Sequence, residues 1–195
     1  MNAQLRQRLL EMVEEERRIH TELTAAGEIF QGYAPRLAEV DLRKALELEK
    51  IIEEHGWPGR SLVGEDRAHA AWFTLQHAIG HPELQRRCLP VLKEAVTRGE
   101  STPAQAAFLE DKICFFERRP QRYGTQFDWD ENGVMSPWVL ENPGRVDEYR
   151  RSVGLSPLAE KIEQFRRESK DEPKPLDFKT RQEEVLTWAK SVGWV

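Results

Sequence analysis

The sequence predicts a mainly α domain with one short β-hairpin. Two observations carry this expectation. Apolar residues recur at helical spacing through five successive segments before residue 120. One stretch, "ERRPQRYGTQFDWDENG" from Glu117 to Gly133, then abandons that spacing for three aromatics and a threonine at every second residue. Composition sets the scale. At 195 residues, with 39% hydrophobic and 32% charged, the chain has the balance of a folded protein and the length of one compact domain.

Leu5, Leu9, Met12, Ile19 and Leu23 fall at steps of three, four or seven, so residues 2–25 read as an amphipathic helix that Gly27 ends. A second helix is expected over about 35–55, with Leu42, Ala45, Leu48 and Ile52 facing inward, before Gly56, Pro58 and Gly59 break the chain. The third, about 65–79, opens on Glu65 and Asp66, acids suited to the positive end of a helix dipole. It is apolar on two faces, one of them formed by His69, Phe73 and His77, and is therefore expected to be central. A fourth helix starts at Pro82 and ends at Gly99. The fifth, about 102–118, starts where Thr102, Pro103 and Gln105 make a capping box, and it too is apolar on two faces.

The alternation of Tyr123, Thr125, Phe127 and Trp129, followed by the pair Asn132-Gly133, predicts a hairpin within about 122–140, with Pro137 on an edge strand. One or two short helices are expected over 143–170. "KDEPKPLDF" reads as a stiff linker across about 171–178, and a last helix within about 179–195 starts at the box Thr180–Glu183. Residues 1–170 are expected to form the helical domain, with the N-terminal helix and the last helix peripheral to it.

The formal charge of −5, from 29 basic and 34 acidic residues scattered along the helices, gives no basic stripe, and no nucleic-acid partner is expected. Cys88 and Cys114 sit in apolar helical patterns as small hydrophobes, which suits a reducing compartment. "MNAQLRQRLLEMVEEERRIH" is charged from its sixth residue and offers no apolar run of signal or membrane-span length. The expected location is the cytoplasm, away from membranes.

His77 is the best-placed acid–base group, since its ordinary pKa lies near neutrality, although a core histidine bonded to a carbonyl has the same appearance. Asp111 lies on an apolar face of the fifth helix, where a carboxylate needs a partner: His77, Lys112, an arginine or the turn backbone. His77 and His81 are separated by a helix break and no Cys pair or HExxH occurs, so neither a metal nor a cofactor is expected. GxSxG, Walker A and GxGxxG motifs are missing too. Gln121, Tyr123, Gly124, Thr125 and Gln126 supply amides, a phenol and a hydroxyl within six residues, either to line a polar pocket or to bond their own strands.

The words "LQHAIGHPELQRRCLPVLKEAV", "AFLEDKI", "RRPQRYGTQFDWDENG" and "VDEYRRSVGLSPLAE", in this order, resemble a bacterial family of unknown function, number 6624, over about residues 50–165. Its motifs fall on Gln76 and His77, on Asp111, and on Gln121, Tyr123, Gly124, Thr125 and Gln126. Lys112 stands where the family has arginine, and lysine lacks the bidentate fork. The resemblance implies a shared site without naming an activity.

The leading expectation is a cofactor-independent enzyme acting on a small polar molecule or peptide by hydrolysis, isomerisation or elimination. His77 moves the proton, Asp111 orients it, Tyr123, Gln121 and Gln126 hold the substrate, and Gln76, Gly124 and Thr125 complete the site. The alternative is a non-catalytic ligand- or protein-binding module, and a third reading makes the polar set an internal network. Oligomeric state is left open.

Overall fold

The computed structural model describes residues 1–26, 35–170 and 177–195. The expected stop at Gly27 and most of the expected linker lie outside the described residues. Among the described residues the fold is mainly α, 69% helical, with one antiparallel hairpin. The chain divides into two compact units, Met1–Thr102 and Pro103–Val195, a boundary inside the 1–170 body expected from sequence.

The first unit contains α1 (Ala3–Ala26), α2 (Pro35–His55), α3 (Arg60–Val63), α4 (Glu65–His77) and α5 (Pro82–Thr97). Leu5, Leu9, Met12, Ile19 and Leu23 of α1 are all buried, and α1 packs on both α2 and α4. The N-terminal helix is thus part of this core rather than peripheral. Its first residue contacts reach α3, where the Asn2 amide donates to Leu62 O at 2.8 Å. Four residues of α3 are too few to print a periodic pattern, and the sequence offered no sign of it.

The buried face of α2 is rotated from the expected one. Val40, Asp41, Lys44, Ala45, Leu48 and Ile51 point inward while Leu42 is 44% exposed. Two charged residues stand where apolar ones were sought. Central α4 packs against α1, α2, α3 and α5. Fully buried Gln85 of α5 donates to Leu75 O at 2.7 Å, satisfying a carbonyl at the C-terminal end of α4, the turn that carries His77.

The second unit contains α6 (Pro103–Phe116), β1 (Phe127–Trp129), β2 (Met135–Pro137), α7 (Val146–Ser152), α8 (Leu158–Glu168) and α9 (Phe178–Val192). Phe127 pairs with Pro137, Asp128 with Ser136 and Trp129 with Met135. Strand structure begins at Phe127 rather than Tyr123, because the amides ahead of it are taken by a side chain described below. The turn also differs from a two-residue Asn-Gly turn. Gly133, at φ +65°, follows Glu131 and Asn132; Asp130 N donates to Val134 O, and Gly133 N donates to Asp130 O. The Asp130 carboxylate holds this larger loop through Asn132 N, Val134 N and Ser136 Oγ.

Helix α9 starts at Phe178, ahead of the expected Thr180, because Asp177 supplies the cap: it accepts from Lys179 N at 2.9 Å and from Thr180 Oγ1 at 2.6 Å. Nor is α9 peripheral to its unit. Phe116 lies 5.5 Å from Trp188 and 5.2 Å from Trp194, nearly parallel to the latter, and buried Asp128 accepts from Arg181 and Gln182. Among the described residues no helix is long and apolar enough to cross a membrane.

Candidate functional site

In the first unit, α1, α2 and α4 bring four ionisable side chains together. His77 Nδ1 meets Glu16 Oε1, Glu16 Oε2 meets Lys44 Nζ, and Asp41 Oδ1 lies 3.5 Å from the same ammonium. Glu16, Asp41 and Lys44 are 3%, 3% and 1% exposed, whereas the His77 side chain keeps 37% of its surface. The imidazole is therefore the part-exposed end of an otherwise buried chain of charges. Its ring lies 4.2 Å from that of Phe73, tilted by 35°.

Two carboxylates face one ammonium and one imidazole, so the cluster is neutral when His77 is protonated and carries one negative charge when it is not. Burial pushes the Lys44 ammonium down to about 8, against the pull of nearby carboxylate charge. Such a network is a poor stability device, because desolvating the ions costs as much as their pairing returns. Gln76, the neighbour of His77, is buried at 4% exposure.

In the second unit, Asp111 is fully buried and acts on backbone. Its Oδ1 accepts from Arg122 N at 2.9 Å and Tyr123 N at 3.1 Å. Its Oδ2 accepts from Tyr123 N at 3.1 Å and from Thr125 N and Oγ1 at 3.0 Å. Burial pushes its carboxyl above the ordinary aspartate value, and the bonds from Thr125, Tyr123 and Arg122 pull the other way.

On the carbonyl side of the same loop lies Arg150, 3% exposed, which donates to Tyr123 O at 2.7 Å, Gly124 O at 3.2 Å and Ser156 O at 2.6 Å. A buried anion holds the N–H groups and a buried cation holds the C=O groups, each satisfying the other's charge through the peptide groups between them. Gly124 makes the turn possible at φ +63°, with Leu158 and Leu140 packed where a Cβ would stand.

The side chains of the loop divide in two. Gln121 is wholly buried and its amide is consumed by backbone: Nε2 donates to Gln126 O and Trp138 O, and Oε1 accepts from Gln126 N, all at 2.9 Å. Thr125 and Gln126 line a cavity of about 320 Å³, together with Phe127, Met135, Phe165, Glu168 and Ser169. Burial raises the Tyr123 phenol above its ordinary value, and its ring meets Tyr149 edge-on at 6.5 Å. Of the residues expected from sequence, His77 and Gln76 belong to the first unit, and Asp111, Tyr123 and Gln121–Gln126 to the second.

Among the described residues, no group of three or more His, Cys, Asp or Glu is placed to hold a metal ion. Both cysteines are buried, and burial pushes the Cys88 thiol up to about 11, away from thiolate chemistry.

Sequence reasoning missed Glu16, Lys44, Asp41 and Arg150. Glu16 had a visible signal: buried positions 5, 9, 12, 19 and 23 leave a gap at 16, the step of four then three that an inward residue would fill.

The model of a family of unknown function, DUF6624, matches residues 3–169. No curated protein and no solved structure matches the chain. The matched region includes α1, and with it Glu16.

Proposed function

We propose, from the premise that the chain belongs to the DUF6624 family, that its first unit carries an acid–base centre built on His77 and Glu16, used by a cofactor-independent enzyme on a small polar substrate. The observation that carries this reading is the contact between a part-exposed imidazole and a buried carboxylate whose second oxygen is held by a buried ammonium. A carboxylate at Nδ1 keeps the proton on that nitrogen, so Nε2 is the atom that takes a substrate proton. The imidazolium that results faces Glu16 and completes the neutral cluster. Lys44 is a positioning residue that acts through Glu16, and Asp41 one that acts through Lys44. The reaction classes that use such a centre are hydrolysis, isomerisation and elimination.

The sequence expectation paired His77 with Asp111. Glu16 takes that part in the present reading, and Asp111 is assigned the task of shaping the Tyr123–Thr125 loop. A second reading, a non-catalytic binding module, is supported by the cavity beside Thr125 and Gln126.

Carbethoxylation tests the acid–base reading without a known substrate. His55 is the internal control, because its side chain is 39% exposed against 37% for His77 and its contact is with exposed Glu54 rather than a buried carboxylate. At about pH 8, where an ordinary imidazole is neutral, diethylpyrocarbonate should modify His77 several-fold faster than His55 by peptide mass mapping. Glu16→Gln should remove the difference. Equal rates in the wild type would overturn the proposal.

A further inference from the structure

The geometry points to the cavity beside Gln126 as a binding site for a small organic cation, a primary ammonium carried on an aromatic or aliphatic body. This deepens the binding reading and is independent of His77, because every residue it uses belongs to the second unit.

The volume of about 320 Å³ lies at the small end of ligand pockets. Its apolar wall is formed by Phe127 and Phe165, with ring centroids 4.4 Å apart, and by Met135. The polar groups are few, and the excess among them has one sign. Ser169, 5% exposed, presents its hydroxyl among the lining residues. Gln126 spends one N–H on Thr125 Oγ1 at 3.1 Å, which leaves its carbonyl oxygen unused. Thr125 has already committed its own proton to Asp111. Glu168 takes Gln164 Nε2 on Oε1 at 2.7 Å and keeps Oε2.

The groups left for a ligand are thus mostly acceptors: Gln126 Oε1, Glu168 Oε2 and the lone pairs of Ser169. The one full charge among the lining residues is negative. A ligand that satisfies them must donate more bonds than it accepts, and an ammonium does so with three N–H groups. The aromatic wall suits a cation. Lys161 Nζ, which does not line the cavity, lies 4.6 Å from the Phe165 ring centroid and donates to Gln164 Oε1, so this ring already accepts an ammonium as a neighbour.

The probe is 2-phenylethylamine, titrated at neutral pH into the ¹⁵N-labelled full-length chain, with 3-phenylpropanoate as the anion on the same phenylethyl body. The amine should give saturable shifts at the Gln126 side-chain amide and the Ser169 backbone amide, and should bind at least about tenfold more tightly than the carboxylate. Glu168→Gln, a change at an exposed position, should weaken the amine several-fold and leave the carboxylate unaffected or improved. Equal affinity for the two probes, or no saturable shift at these residues up to about 10 mM amine, would overturn the inference. Neither result bears on the carbethoxylation of His77, so the two proposals fail separately.

Discussion

Replacing Asp111 by alanine withdraws one acceptor group from four donors at once. Three backbone amides and one hydroxyl, bonded at 2.9 to 3.1 Å, lose their partner. The bonds from Arg122 N and Tyr123 N are part-buried, so water can replace the carboxylate there at about 1 kcal/mol each. Those from Thr125 N and Oγ1 are buried, and an unsatisfied donor there costs about 1 to 2 kcal/mol each. Relief of the aspartate's own buried charge offsets part of this sum and the stranding of buried Arg150 restores part of it, which leaves a destabilisation of about 4 kcal/mol. Asp111→Asn retains one carbonyl oxygen but turns an NH₂ toward two donors, so it should cost about half as much. Urea denaturation followed by far-ultraviolet circular dichroism measures both. A loss below about 1 kcal/mol for Asp111→Ala would refute the anchoring role. The pair of variants also separates anchoring from catalysis: a charge needed in proton transfer would make Asn as harmful as Ala to turnover while sparing the fold.

Two further outcomes follow from the buried groups. Burial holds the Lys44 ammonium at about 8, below the value of about 10.4 expected in the unfolded chain. Between these pH values the unfolded chain retains a proton that the folded one releases, so the stability contribution of this group rises with pH, by at most about 3 kcal/mol. Denaturation at intervals from about pH 7.5 to 10 should show that rise in the wild type and lose it in Lys44→Met. A fall would mean that pairing with Glu16 and Asp41 outweighs burial. Gly124→Ala places a methyl 2.9 Å from Leu158 Cδ1 and 3.3 Å from Leu140 Cδ2 at a φ of +63°. Backbone strain and overpacking together should cost about 2 to 3 kcal/mol. A thermal midpoint unchanged from wild type would show that the loop shifts freely, against the anchoring described for it.

What the sequence disclosed depended on whether a residue's partner lay nearby in the chain. The helices were legible because their apolar spacing is a local pattern, and the ends of α2, α5 and α6 follow from prolines and glycines within it. Asp111 was legible as a carboxylate in need of a partner, and the turn backbone was among the partners weighed. The extent of β1 was misjudged because alternation in Tyr123–Trp129 is a strand signal only if the amides are available to a strand, and Asp111 had taken two of them. The inward face of α2 was misjudged for a related reason: Lys44 reads as a solvent residue until Glu16, 28 positions away, is seen beneath it. Arg150 left no trace at all. It adjoins Arg151, which is exposed, and only tertiary structure distinguishes the two.

The grip of Asp111 and Arg150 on opposite sides of one loop bears on how this chain can change by mutation. The two ions do not bond each other, and the peptide groups between them carry the compensation. Losing either one leaves the other buried with its counter-charge gone, so each single substitution is more harmful than the sum of separate effects would suggest. Substituting both together, with the loop rebuilt around apolar residues, avoids the stranded charge. The pair is therefore an epistatic unit: the route out of it runs through an intermediate less fit than either end, and a lineage that has acquired both residues is held to them whatever the loop is used for.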